Sequence, residues 1–137
     1  MSPTVITLDI HGPRTPGYLL EVAEARSQAA RVLNHLTLAR ETFPDLPAAD
    51  QALRHLAADA AVLPQLLDRI SARLGAWLAA GAIPAGRPAS DALMRLDDAA
   101  VAAAQLAAVL AEANAATAAL TAIRKHDQGG RHNADPA

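Results

Sequence analysis

The sequence predicts an all-α fold: an antiparallel bundle of three long helices with an extended N-terminal arm and a disordered C-terminal tail. Alanine supplies much of the 52% hydrophobic content, and alanine has the highest intrinsic helix propensity. Aromatic residues make up only 2% of the chain, whereas sheet proteins are usually richer in aromatic and β-branched residues. Apolar residues also recur in three- and four-residue steps, as on an amphipathic or coiled-coil helix.

The length of 137 residues is enough for one domain with a sizeable core. We expect residues 1–14 to form the arm, residues 15–126 to form a single helical-bundle domain, and residues 127–137 to form the tail. The tail is polar and contains two glycines, a composition typical of disordered segments.

The N-terminal arm contains a pattern typical of a strand. Ile6, Leu8 and Ile10 alternate with polar residues over residues 4–10, and a period of two is the pattern of a half-buried strand. The sequence offers no second strand to pair with it, and an isolated strand is unstable in water. We expect the segment to lie extended across its own helices. The alternatives are pairing with its copy in a dimer and docking on the sheet edge of a partner protein.

The first helix is expected at about residues 16–42. Thr15 is a suitable N-cap and Pro16 suits the first helical position. An apolar stripe follows in alternating four- and three-residue steps over residues 18–43. The helix should end there, because Pro44 disfavours the α conformation in the residue before it.

The second helix is expected at about residues 47–80, and it has the strongest periodic pattern in the chain. Pro64 lies inside this segment, where it removes one backbone donor and crowds the preceding turn. The pattern keeps its phase across Pro64, so we expect a kinked continuous helix, with a break into two helices as the alternative. The stripe consists of Leu53, Leu56, Ala60, Leu63, Leu67, Ile70, Leu74 and Trp77.

The third helix is expected at about residues 90–126, after a loop at residues 81–89 that contains two glycines and two prolines. Either Pro88 at the first helical position or Ser90 as N-cap opens it. One face carries most of its leucines, and the opposite face is also apolar but small. A helix that is apolar on most of its circumference is usually packed on more than one side.

This small face predicts self-association, and we name it the alanine face. In the first helix, Leu20 and Leu38 lie on the side away from its stripe, where they fit a second interface. We therefore expect a homo-oligomer, with a dimer favoured, or a complex with a protein partner. The alanine face consists of Ala104, Ala108, Ala111, Ala115, Ala118 and Ala122.

One ionisable pair is a candidate for chemistry. His55 and Asp59 are four residues apart in the second helix, so they project from the same side. Asp59 is expected close to leucines, where a carboxylate is costly unless it is paired. We interpret the two residues as a buried ionic pair. A metal site or an acid–base pair centred on them is the alternative, although a metal site needs more ligands than this pattern supplies.

The composition argues against most catalytic classes. The chain has no cysteine, which excludes disulfides, thiolate metal sites and cysteine nucleophiles. The sequence contains no phosphate-binding glycine loop, no Walker-type lysine and no Ser–His–Asp order. We therefore expect a non-catalytic protein without a cofactor or a bound metal, which acts through protein–protein interaction or self-association.

Charge and hydropathy restrict the partners. With 12 basic and 14 acidic residues, the net charge is −2, so nucleic acid is not expected as a partner. The alanine-rich third helix is the one candidate for a membrane span, but it contains polar residues and alanine drives insertion weakly. The N-terminus does not have a signal-peptide pattern. We expect a cytoplasmic protein, and the excess of arginine and alanine suggests a GC-rich bacterial genome.

Overall fold

The structure, a computed structural model, describes residues 8–42 and 44–132, and these residues are all-α. The fold class and the presence of three long helices are therefore confirmed. The helices are α1 (Pro16–Leu36), α2 (Leu46–Ala79) and α3 (Arg87–His132), and a short 3₁₀ helix (Arg40–Thr42) follows α1.

The chain divides into two compact units, residues 1–44 and residues 45–137. The first unit contains the arm and α1, and the second contains α2 and α3. The organisation of residues 15–126 as one domain stays a prediction.

The arm is attached to α1 through Tyr18. The backbone N–H of Asp9 donates to the Tyr18 hydroxyl oxygen at 3.1 Å, and that hydroxyl donates to the Asp9 carbonyl at 3.4 Å. The Gly12 N–H donates to the same carbonyl at 3.0 Å. A Cβ on Gly12 would lie 3.0 Å from the Asp9 carbonyl oxygen and 3.0 Å from the Tyr18 ring. Glycine at position 12 therefore allows the ring to lie against this turn.

This turn corrects the predicted strand. Ile10 lies in the turn, and Leu8 just before it has no regular secondary structure. The strand prediction is therefore wrong at its C-terminal end, because the Asp9 carbonyl bonds within the chain rather than to a neighbouring strand. Ile6 and the rest of residues 4–7 lie outside the described residues.

The start of α1 is confirmed and its predicted end is wrong. Thr15 is the N-cap and accepts a hydrogen bond from a backbone N–H of the first turn. The helix ends at Leu36, not near Thr42. The Thr42 hydroxyl donates to the carbonyls of Leu36 and Ala39. Side-chain donors of this kind compete with the backbone N–H groups that would continue the helix.

α2 and α3 form an antiparallel hairpin. Near the start of α2, Asp50 accepts a hydrogen bond from the Thr117 hydroxyl at 2.6 Å. Near its end, the Ser71 hydroxyl donates to Asp97 at 3.2 Å. The loop between the helices turns at Gly81, whose φ of 71° is in the left-handed region that glycine adopts without a Cβ clash.

The seam between α2 and α3 is formed by small residues. Among the described residues, the buried apolar ones are Ala60, Ala100 and Ala103. Small side chains allow two helix backbones to approach closely, but each of them removes little apolar area from water. The hairpin therefore depends on close packing, and its larger apolar side chains remain partly exposed.

The boundaries of α2 and α3 differ in detail from the prediction. α2 runs without a break through Pro64, which confirms a continuous helix. α3 begins at Arg87. Ser90 therefore lies inside the helix, where its hydroxyl donates to the Arg87 carbonyl at 3.0 Å. The prediction of Ser90 as N-cap is wrong. α3 also continues to His132, so the predicted disorder is wrong for residues 127–132.

Candidate interaction surfaces

α2 carries large apolar residues on one side of the seam with α3. Leu56, Leu63, Ile70 and Trp77 follow one another at seven-residue spacing, with Leu66 between them. Seven residues are close to two helical turns, so such residues stay on one side of a helix. All except the half-buried Leu63 are between 42% and 49% exposed. This side of α2 is therefore apolar and accessible to solvent.

α3 extends the same surface. Leu106 and Val109 are 49% and 61% exposed, and the helical repeat places both on the side of the hairpin that carries the α2 residues. Exposed apolar side chains thus continue from one helix to the other. We name this surface the leucine face. It consists of Leu56, Leu63, Leu66, Ile70 and Trp77 on α2 with Leu106 and Val109 on α3.

The alanine face lies on the other side of the seam. All six of its residues are exposed. Ala103, which is buried in the seam, and Ala104, which is exposed, are neighbours in α3, because one residue turns the helix by about 100°. The alanine face is thus accessible, although its side chains offer much less apolar area than the leucine face.

The two leucines predicted to extend the self-association surface do not share a helix. Leu20 lies in α1 and is 68% exposed. Leu38 is 79% exposed but lies in the turn after α1. Their prediction as one helix side is wrong, because α1 ends two residues before Leu38.

Asp50 is the buried charged residue of the described chain, with 5% of its surface exposed. Its carboxylate accepts from the Thr117 hydroxyl at 2.6 Å and is paired with Arg54 at 3.0 Å. The same hydroxyl lies 3.0 Å from the Asn114 carbonyl, which also accepts from it. The side-chain oxygen Oδ1 of Asn114 is buried without a hydrogen-bond partner. This cluster joins α2 to α3 by a polar contact within the seam.

Asp50 is not among the predicted site residues, although the apolar pattern of α2 contains a signal for it. The α2 stripe continues backwards by three residues from Leu53 to Asp50, so Asp50 lies on the side that faces α3. A carboxylate in that position requires a partner. The partner, Thr117, is far away in sequence, and the pairing of α2 with α3 is needed to identify it.

The predicted buried pair of His55 and Asp59 is not buried. Both residues are exposed, so the prediction of burial is wrong. Asp59 directly precedes Ala60, which faces α3, and a rotation of about 100° turns it away from the seam. Within the described residues, no group of three or more His, Cys, Asp or Glu side chains is placed to hold a metal ion.

By length and composition alone, α3 is able to cross a membrane over Arg87–Gly129. The mostly buried core helix of a soluble protein meets the same criterion, whereas no residue in the most apolar stretch of α3 is buried. Asn114 and Thr117 lie within this segment and contribute to the polar cluster with Asp50.

Comparison with known proteins identifies no relative, because no family model, curated protein or solved structure matches this chain.

Proposed function

We propose that this chain is a non-catalytic helical protein that acts by associating with a second copy of itself. The leucine face is the observation that supports this function. Single exposed apolar side chains are normal on soluble proteins, whereas contiguous apolar patches larger than a few hundred Å² mark interaction surfaces. Six of the seven side chains of the leucine face are at least 42% exposed, so together they form a contiguous patch on the order of several hundred Å².

Burial of the leucine face supplies the favourable term for association. Its side chains are mostly about half exposed, and apolar surface removed from water contributes about 25 cal/mol per Å². This area does not convert directly into affinity, because lost translational and rotational freedom, side-chain ordering and polar desolvation offset much of it. The hairpin also acquires a second apolar layer, which its seam of small residues does not provide.

The oligomeric state of the full chain tests this proposal. We expect sedimentation equilibrium to show a dimer whose fraction rises with protein concentration, since a reversible dimer follows mass action. Far-ultraviolet circular dichroism of the same samples verifies that the helices are formed. A helical chain that stays monomeric at every accessible concentration would contradict the proposal.

We further propose that the protein acts in the cytoplasm and that α3 does not span a membrane. α2 lies beside α3 and carries Arg54, Asp59, Asp68, Arg69 and Arg73 along its length. If the hairpin entered a bilayer, each charge near the centre would cost about 2.5–3.5 kcal/mol. These costs exceed what an alanine-rich helix gains by insertion.

Flotation with phosphatidylcholine vesicles measures membrane association directly. We expect the folded chain to remain in the dense fraction, separate from the vesicles. As a matched comparison, a synthetic peptide of residues 87–129 lacks the charges of α2 and should associate with the vesicles more strongly. Flotation of the full chain with the vesicles would argue against this part of the proposal.

A further inference from the structure

We propose that the leucine face is the surface through which two copies associate, in an antiparallel pair around a two-fold axis close to Leu66. This inference rests on the proposed self-association and specifies the surface that carries it. Two α2–α3 hairpins would then pack face to face, with the leucine side of each α2 against its counterpart in the second copy.

The spacing of the face fits a helix partner. Leu56, Leu63, Ile70 and Trp77 repeat every seven residues, and this repeat keeps a seam in register between two helices that wind around each other. An exposed patch on the order of several hundred Å² approaches the ~800 Å² that each partner contributes to a standard interface. A long helical partner with the same repeat covers this surface, and a second α2 has that repeat.

Two charges on the same side of α2 as Leu66 favour a second copy in antiparallel orientation. Asp59 and Arg73 each lie seven residues from Leu66, one on either side. A two-fold axis across α2 at Leu66 brings Arg73 level with Asp59 of the second copy, and symmetry repeats this pair. A parallel arrangement of the two α2 helices would instead bring like charges level with each other. Complementary charges of this kind fix the register of an interface more than its affinity.

The leucine face is a stronger interface than the alanine face. An alanine side chain removes little area from water, and association must offset the cost of immobilising the partner. Trp77 belongs to a residue type that is enriched among the side chains that dominate binding energy at protein interfaces, and the leucines add apolar area around it. The alanine face therefore serves as the matched control surface on the same hairpin.

Two charge substitutions in the full-length chain distinguish the surfaces. Ile70→Glu places a carboxylate in the middle of the leucine face, and Ala111→Glu places one on the alanine face, where both native residues are exposed. We expect Ile70→Glu to raise the dimer dissociation constant by at least about 30-fold and Ala111→Glu to change it by less than about threefold. Circular dichroism verifies that each variant keeps its helices.

Cross-linking tests the orientation of the pair. Because the chain has no cysteine, a single Leu66→Cys substitution introduces one reactive thiol. Near a two-fold axis at Leu66, the two thiols are close together, and oxidation should give a covalent dimer. Leu56→Cys should not cross-link, because an antiparallel pair places the two copies of residue 56 about 30 Å apart along the helices, whereas a parallel pair would cross-link both variants. Ala111→Cys should remain uncrosslinked under the same conditions.

The outcomes separate this inference from the proposed function. A dimer that Ala111→Glu disrupts and Ile70→Glu leaves intact would overturn the leucine face but keep self-association. A dimer that Ile70→Glu disrupts, but in which Leu56→Cys cross-links or Leu66→Cys does not, would overturn the antiparallel orientation about Leu66. A wild-type monomer would overturn both proposals. Loss of helix content in Ile70→Glu would in that case indicate that the leucine face is covered by another part of the same chain.

Discussion

Replacing Ala60 by leucine is expected to destabilise the α2–α3 hairpin by about 1–3 kcal/mol. Ala60 is 4% exposed and faces α3, where Ala100 and Ala103 are also buried. A leucine at this position forces the two helices apart or adopts a strained rotamer, because the buried apolar side chains of the seam are all alanines. The free energy of unfolding, measured by urea denaturation with circular dichroism at a protein concentration that holds the oligomeric state constant, gives the effect.

The matched control for this prediction is Ala58→Leu. Ala58 is exposed and lies two residues earlier in the same helix, and leucine and alanine have similar helix propensities. We expect this variant to change the free energy of unfolding by less than about 0.5 kcal/mol. Equal losses in the two variants would mean that the seam is not the closely packed part of the hairpin.

Thr117→Val is expected to cost about 1–3 kcal/mol of stability, through loss of a single hydroxyl. Valine has nearly the same shape as threonine but does not donate to the Asp50 carboxylate, which accepts from Thr117 at 2.6 Å. Asp50 is 5% exposed and would keep Arg54, whose own side chain is 59% exposed. A buried carboxylate that loses a donor retains its desolvation cost without compensation.

The double variant Asp50→Leu, Thr117→Val tests whether the uncompensated Asp50 carboxylate causes this loss of stability. Replacing both partners by apolar groups removes the buried charge together with its donor, which is often nearly neutral or stabilising. Arg54 is then free to point into solvent. We expect the double variant to be more stable than Thr117→Val alone in thermal denaturation. A double variant that is less stable than the single one would show that Asp50 stabilises the hairpin through contacts other than Thr117.

The helices themselves could be predicted from the sequence because their causes are local. Alanine content and three–four spacing fix the helical state, and Thr15 as N-cap fixes the start of α1. The end of α1 was not predictable in the same way. Pro44 predicts a later end of α1. In the structure the Thr42 hydroxyl donates to the carbonyls of Leu36 and Ala39, and this contact forms only after the chain has turned.

The direction in which each side of α2 points could be predicted only in part. The stripe from Leu53 to Trp77 appeared as a single core side, but the structure divides it. Ala60 is buried against α3, whereas Leu56, Ile70 and Trp77 remain exposed. Periodicity shows that residues share a side of a helix, and only the position of the neighbouring helix decides which part of that side is buried.

The burial of carboxylates on α2 was not predictable for the same reason, because the sequence does not show where α3 lies. Asp59 was expected to be buried and Asp50 was overlooked, although both are carboxylates on α2. Which of the two carboxylates enters the seam depends on which side of α2 faces α3. A rotation of α2 by about 100° around its own axis would bring Asp59 to the position of Ala60 and turn Asp50 away from α3. The partner of Asp50 lies 67 residues away in sequence, so no local pattern could have identified it.

The turn at Gly81 also bears on the rate at which the hairpin forms. α2 ends at Ala79 and α3 begins at Arg87, so a short loop brings the adjoining ends of the two helices together at little entropic cost. Further contacts between α2 and α3 can then form one after another, from the loop toward Asp50 and Thr117. Chains dominated by such near-neighbour helix contacts fold in microseconds to milliseconds. A stopped-flow experiment should therefore find the hairpin already formed within its dead time, with a slower phase whose rate rises with protein concentration reporting the encounter of two copies.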